Sequence, residues 1–308
     1  MRPGWVAGST RARLLLSRAI GVEHARAIAG AHSLAAALAA LAGSPYGERV
    51  AADASLAAAE RGVAETLLWH LRILAGWLPA AGAGLVRALA GWLELQNIDA
   101  RLAALATGAP EGMPLTLGGL ATAWPAVERA HGLDELVHAL SASAWGAMSA
   151  RSAPELALEL RVAWARRVLD AAPAASEWVA GASALLVARE LFAAGTREHA
   201  GQLRHLPALS EQALAAGSPS ELRAALPPRA GWVLAGIEKP GELWRAELAW
   251  WSRVERDAVA LLRRWGDEEV IVAVVALLGA DAQRSVRAIE AAARGGDPEL
   301  VELIGGAA

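Results

Sequence analysis

Three long stretches of the chain repeat apolar residues at helical spacing. Residues 53–78 carry Leu56, Val63, Leu67, Leu74 and Leu78 on one stripe. Residues 154–170 carry Leu156, Leu160, Trp164 and Val168 behind Ser152-Ala-Pro154-Glu155, a capping box with proline just inside the helix. Residues 241–265 set Trp244, Leu248, Trp251, Ala258, Leu262 and Trp265 close to a heptad seam. That seam predicts Trp244 and Trp251 in the core and leaves Trp250 off it, exposed or facing an interface. Glycine and proline predict breaks near 79–84, 108–119, 171–176 and 227–241.

The pattern also repeats on a larger scale. Residues 32–47 read HSLAAALAALAGSPYG and residues 131–146 read HGLDELVHALSASAWG. Without a gap they share His, Leu, Ala, Leu, Ser and Gly, and Tyr46 aligns with Trp145. A fainter copy, SPSELRAAL at 218–226, runs into PPRAGW with Trp232 displaced by one position. The segment WLELQNIDARLAALATG (92–108) precedes the second copy, and SALLVARELFAAG (183–195) precedes the third. Nothing equivalent precedes the first, but DAQRSVRAIEAAARGG (281–296) stands near the other end of the chain with no copy after it. The two end segments therefore complete one another. The expectation is three similar lobes: 1–80 together with 267–308, then 81–176, then 177–266.

Composition narrows the class. Hydrophobic residues make up 55% of the 308 residues but aromatics only 5%, so the excess is alanine and leucine, which favour helix. β-branched residues are too sparse to cover a large sheet. An all-α fold is predicted. Net charge is −3, Lys239 is the single lysine and no basic tract occurs, which disfavours a nucleic-acid surface. Cysteine is absent, which excludes disulfides and thiolate metal sites. The longest strongly apolar run, Val270 to Ala280, is too short to span a bilayer, and Leu14-Leu15-Leu16 after Arg11 and Arg13 is not a signal-peptide core.

Several segments, in order, resemble the C subunit family of V-type ATPases, whose eukaryotic members are called d subunits. They are Arg11-Ala12-Arg13 with Leu15-Leu16-Ser17, the short helix ending in Tyr46-Gly47, and Glu94-Leu95-Gln96-Asn97-Ile98 leading to Gly108. The turn Gly118-Gly119-Leu120 and the second aromatic, Trp145, follow. The family's C-terminal Glu-x-x-Asn-Leu-Arg-x-Ile falls on Ala282, Ser285, Val286, Arg287 and Ile289, so its Glu and Asn are replaced. The resemblance spans nearly the whole chain and marks a divergent member. It implies a funnel of three helical lobes, peripheral on the cytoplasmic face of the cell membrane. Such a protein holds no cofactor, metal, nucleotide or small-molecule substrate. Its partners are the central-stalk subunits and the proteolipid ring of a rotary ATPase, between which it couples rotation mechanically during proton or sodium transport.

The residues offer weaker competitors. Glu128-x-x-His131 and Glu135-x-x-His138 have the spacing of di-metal bundle ligands, but they lie on one stretch broken by Gly132 and cannot enclose two metals. His199 and His205 lack acidic partners at ligand spacing. HExxH, Walker and Gly-x-Ser-x-Gly motifs are missing. The charged run from Arg253 to Glu269 reads as a solvated face with i,i+4 pairs. The reading is of a non-enzyme. A generic α-helical repeat scaffold for protein–protein interaction is the alternative, although solenoid repeats are far shorter than the offset between His32 and His131.

Overall fold

A computed structural model describes residues 3–108, 112–195, 200–206, 208–264 and 267–296. Every regular element among them is helical, so the chain is all-α. In chain order come α1 (Pro3–Leu16), α2 (Gly21–Ala29), α3 (Leu34–Leu41), α4 (Leu56–Gly76) and α5 (Ala80–Leu89). Then come α6 (Gly91–Thr107), α7 (Trp124–Val127), α8 (Leu133–Ser141), α9 (Ala153–Ala171) and α10 (Ser176–Ala188). The short α11 (Ala200–Leu203), α12 (Glu211–Leu214), α13 (Pro219–Ala225) and α14 (Pro228–Gly231) lead to α15 (Leu243–Leu262) and α16 (Asp267–Ala293). Serines cap five of the helices, Ser152 among them as the capping box predicts. Ser33, Ser55, Ser152, Ser210 and Ser218 each accept a backbone N–H of the first turn.

Packing divides the chain into two compact units, Met1–Val86 with Leu115–Gly118 and Trp251–Ala308, and Arg87–Pro114 with Gly119–Trp250. In the first, α16 packs against α1, α2, α3 and α4. Six consecutive residues of α16, Val270 to Val275, are buried. A helix enclosed on every side must be apolar all round, which explains the unbroken run that the sequence carries there. In the second unit α6 packs on α7 and α9, and α10 on α9 and α14. Its core gathers Ala184, Val187, Leu203, Leu222 and Val233, with Trp232 and Trp250 against it.

The stripe on α15 differs from the heptad reading. Leu243, Ala246, Val254, Ala258 and Leu261 are buried, whereas Trp244 is 45% exposed and Trp251 half-buried. The buried face is thus turned by about one residue, or 100°, from the expected seam. Trp250 is half-buried: its indole donates to the Trp178 carbonyl at 2.8 Å. A large indole settles where a glycine leaves room and a carbonyl needs a donor, and that site lies on the side of Trp250. Trp265, the last residue of the expected seam, lies outside the described residues, as do His199 and part of the segments around it. Among the described residues, no helix is long and apolar enough to cross a membrane.

Candidate functional site

Three of the residues singled out in the sequence, Tyr46, Glu94 and Trp145, belong to a clasp built twice, with a third version altered. In the first full instance Glu94 rises from α6 and is almost wholly buried. Its Oε1 accepts the backbone N–H groups of Thr122, Ala123 and Trp124 at 2.8, 2.7 and 2.8 Å. Its Oε2 accepts the indole N–H of Trp145 at 3.1 Å. Those backbone groups open α7, whose first N–H donors have no partner within the helix. A carboxylate from a distant helix therefore acts as the cap, and its charge faces the positive end of the peptide dipoles. The Arg167 guanidinium lies 4.5 Å over the Trp145 ring and donates to the Thr122 hydroxyl at 3.1 Å. Burial lowers the Arg167 pKa and the Glu94 charge opposes that shift.

The second instance is made by Tyr46 and Asp281. Asp281, on α16, accepts Ile20 N–H at 3.1 Å and Gly21 N–H at 2.9 Å, at the start of α2. Tyr46 O–H donates to its Oδ2 at 2.9 Å. Burial, then the adjacent carboxylate, pushes the Tyr46 pKa well above its ordinary value. The motif register puts the acidic position at Ala282, and the structure moves it one residue back to Asp281. Both Ala282 and Ser285 are buried, and the Ser285 hydroxyl is spent on the Asp281 carbonyl at 2.8 Å. The signal that could have found it is the acidic residue itself: Asp281 is the one carboxylate on α16 between Glu269 and Glu290. Both clasps end alike, with Ser44 and Ser143 accepting the backbone N–H of Tyr46 and Trp145.

The third version keeps the packing and loses the charge. A Cβ on Gly91 would meet Trp164 at 2.9 Å and Trp145 at 3.6 Å; a Cβ on Gly181 would meet Trp232 at 2.6 Å and Trp250 at 3.3 Å. Trp164 donates to the carbonyl of Ala88 and Trp250 to that of Trp178, in each case three residues before the glycine. Gly181 thus corresponds to Gly91, and Ala184, fully buried, stands where Glu94 stands. No carboxylate is needed there, because α12 is capped by its own Ser210.

The remaining motif residues are dispersed. Asn97 is buried one turn beyond Glu94. Arg287 is half-buried on α16. Arg13 donates to the Leu262 carbonyl at 3.0 Å, and Arg11 lies 5.6 Å over the Trp77 ring. Gly118 has φ +56°, which favours glycine, and a Cβ there would push aside the Arg72 guanidinium, 2.8 Å away. The Gly119 carbonyl accepts two N–H groups of Arg87.

An open groove of about 830 Å³ runs between α7 and α8, floored by alanines and edged by Arg129, Asp134, Glu135 and His138. In the Tyr46–Asp281 copy, His24 reaches from α2 to the Ala40 carbonyl at 3.2 Å, while Ala139, which matches Ala40, lines the groove here. Of the Glu-x-x-His pairs, Glu135 accepts the His131 backbone N–H. Among the described residues no group of three or more metal-ligating side chains converges. Chemically, the clasps are acceptors filled by N–H and O–H donors: they hold helices and leave no carboxylate oxygen turned toward a substrate. A scan against protein-family models finds no match, and a search of curated proteins finds no significant one.

Proposed function

We propose that this chain is a non-catalytic socket subunit of a V-type rotary ATPase, joining the central stalk to the membrane proteolipid ring. The observation that carries the reading is the recurrence of one clasp along an all-helical chain. It is intact around Glu94 and Trp145, intact around Asp281 and Tyr46, and reduced to its packing around Gly181. The Asp281 clasp is made from the two ends of the described chain, so the first copy is completed by the last helix. The V-type ATPase resemblance implies such a closure of the first lobe by the far end of the chain, and the Asp281 clasp supports the reading to that extent. Three of the residues the family motif names, Tyr46, Glu94 and Trp145, take part in the clasping.

A socket must transmit torque without deforming, and buried carboxylates that fix helix starts serve that need better than apolar packing alone. In this reading the chain sits peripherally on the cytoplasmic face of the membrane, and ion movement and nucleotide chemistry belong to its partner subunits. The decisive experiment is co-expression with the central-stalk subunits of the same genome, followed by size-exclusion chromatography, with the detergent-solubilised proteolipid ring as second partner. A stable complex with both is expected. A folded helical chain that binds neither partner would leave the scaffold reading in its place.

A further inference from the structure

We infer that the outer face of α1, with the adjoining end of α15, docks directly on an anionic lipid surface. Six large hydrophobic side chains are exposed among the described residues, and four belong to this unit: Val6 at 47%, Leu14 at 56%, Trp77 at 53% and Val259 at 45%. Val6, Thr10 and Leu14 follow one another at four-residue spacing on α1 and are all exposed, so they form one stripe. Gly8, on the opposite side of α1, packs against Leu78 beside Trp77. The Arg11 guanidinium over the Trp77 ring then ties that tryptophan to the edge of the stripe. The bond from Arg13 to the Leu262 carbonyl brings the end of α15 alongside, where Arg263 and Arg264 are exposed one turn beyond Val259.

Charge selects the partner. No acidic residue occurs before Glu23, while Arg11, Arg13 and Arg18 all lie in that span. Arg18 is already paired with Glu48. Arg13, Arg263 and Arg264 are exposed and Arg11 is half-buried, so three of the four guanidinium groups are open to solvent. A stripe of valine, leucine and tryptophan edged by arginines is what an interfacial helix offers a membrane: apolar side chains enter the headgroup boundary while guanidinium groups stay with the phosphates. An ordinary protein interface would instead carry charges of both signs on its rim, whereas the segment that forms α1 carries only arginines. The inference extends the membrane-peripheral reading above, but the contact it describes is with lipid and needs no other subunit.

The test is sedimentation of the full chain with vesicles of phosphatidylcholine alone or with phosphatidylglycerol added. Binding to the phosphatidylglycerol vesicles is expected, at least tenfold stronger than to phosphatidylcholine, and weakening as salt rises. Leu14→Glu and the pair Arg263→Gln with Arg264→Gln should each lower it about tenfold or more while the helical circular dichroism is unchanged; these side chains are exposed, so folding is not at stake. Equal binding to both vesicles, absence of binding, or wild-type binding by these variants would overturn the inference. So would an acidic helical protein that binds this face when vesicles do not. Because the vesicles hold no ATPase subunit, loss of lipid binding with stalk binding retained sinks this inference alone, and the reverse result sinks the socket reading alone.

Discussion

Glu94 shows how much rests on a single side chain. It satisfies three backbone N–H groups and one indole N–H away from water. Its truncation leaves those donors without acceptors and Arg167 without its counter-charge. Glu94→Ala should therefore cost about 3–5 kcal/mol, measured by urea denaturation, far more than a surface substitution. His70 is the opposite case, a buried polar group that gives nothing back. Its Nε2 has no hydrogen-bond partner among the described residues. Burial first, then the charge of Arg18, lower its pKa to about 4. The unfolded chain takes up that proton near the ordinary value of 6.5, so the folded state holds fewer protons between about pH 4 and 6.5. Stability is full above that window and falls as pH drops through it, by up to about 3 kcal/mol. His70→Phe should be nearly neutral at pH 7 and should flatten this acid limb in thermal unfolding followed from pH 7 to 4.

At the scale of elements, small residues decide how closely helices approach. Gly91 and Gly181 admit the rims of two tryptophans each, and one indole of each pair, Trp164 or Trp250, donates to a carbonyl one turn before the glycine. Gly181→Ala sets the usual helix gain against a Cβ placed 2.6 Å from the Trp232 ring. The gain is about 1 kcal/mol and overpacking costs about 1–3 kcal/mol, so net destabilisation is expected. Gly84→Ala, on α5 with nothing within 4 Å of its new methyl, should stabilise by about 0.5–1 kcal/mol instead. Denaturation midpoints of the two variants should move in opposite directions. The glycine-tryptophan pairing was half legible. The alignment of Trp145 with Trp232 was visible as an aromatic ending each copy. The glycines were not, because a close approach between helices leaves no mark in a sequence already rich in small residues.

For the whole molecule, the ends of the described chain make one structure. α16 lies against α1 to α4, and Asp281 caps α2 from more than 250 residues away. The half-repeats at 281–296 and 32–47 point to this pairing, since each carries what the other lacks. The acidic residue is harder to place. Asp281 stands one position before the place where the family motif puts its glutamate.

What the sequence determined by itself was the kind of element and its repetition. Alanine and leucine content, serine caps and apolar stripes require helices, and those are local effects that survive without knowledge of neighbours. Tyr46, Glu94 and Trp145 were likewise legible, because motif order marks them. Tertiary structure alone decided which face of α15 is buried, since Trp250 rather than Trp244 meets Gly181. It also supplied Asp281 as the partner of Tyr46, and left α1 with an arginine-edged apolar stripe on its outer side. Each of these depends on which surfaces meet. A helix with large apolar residues on more than one face can bury any of them, and the neighbouring helix, by offering a glycine gap or a free carbonyl, makes the choice.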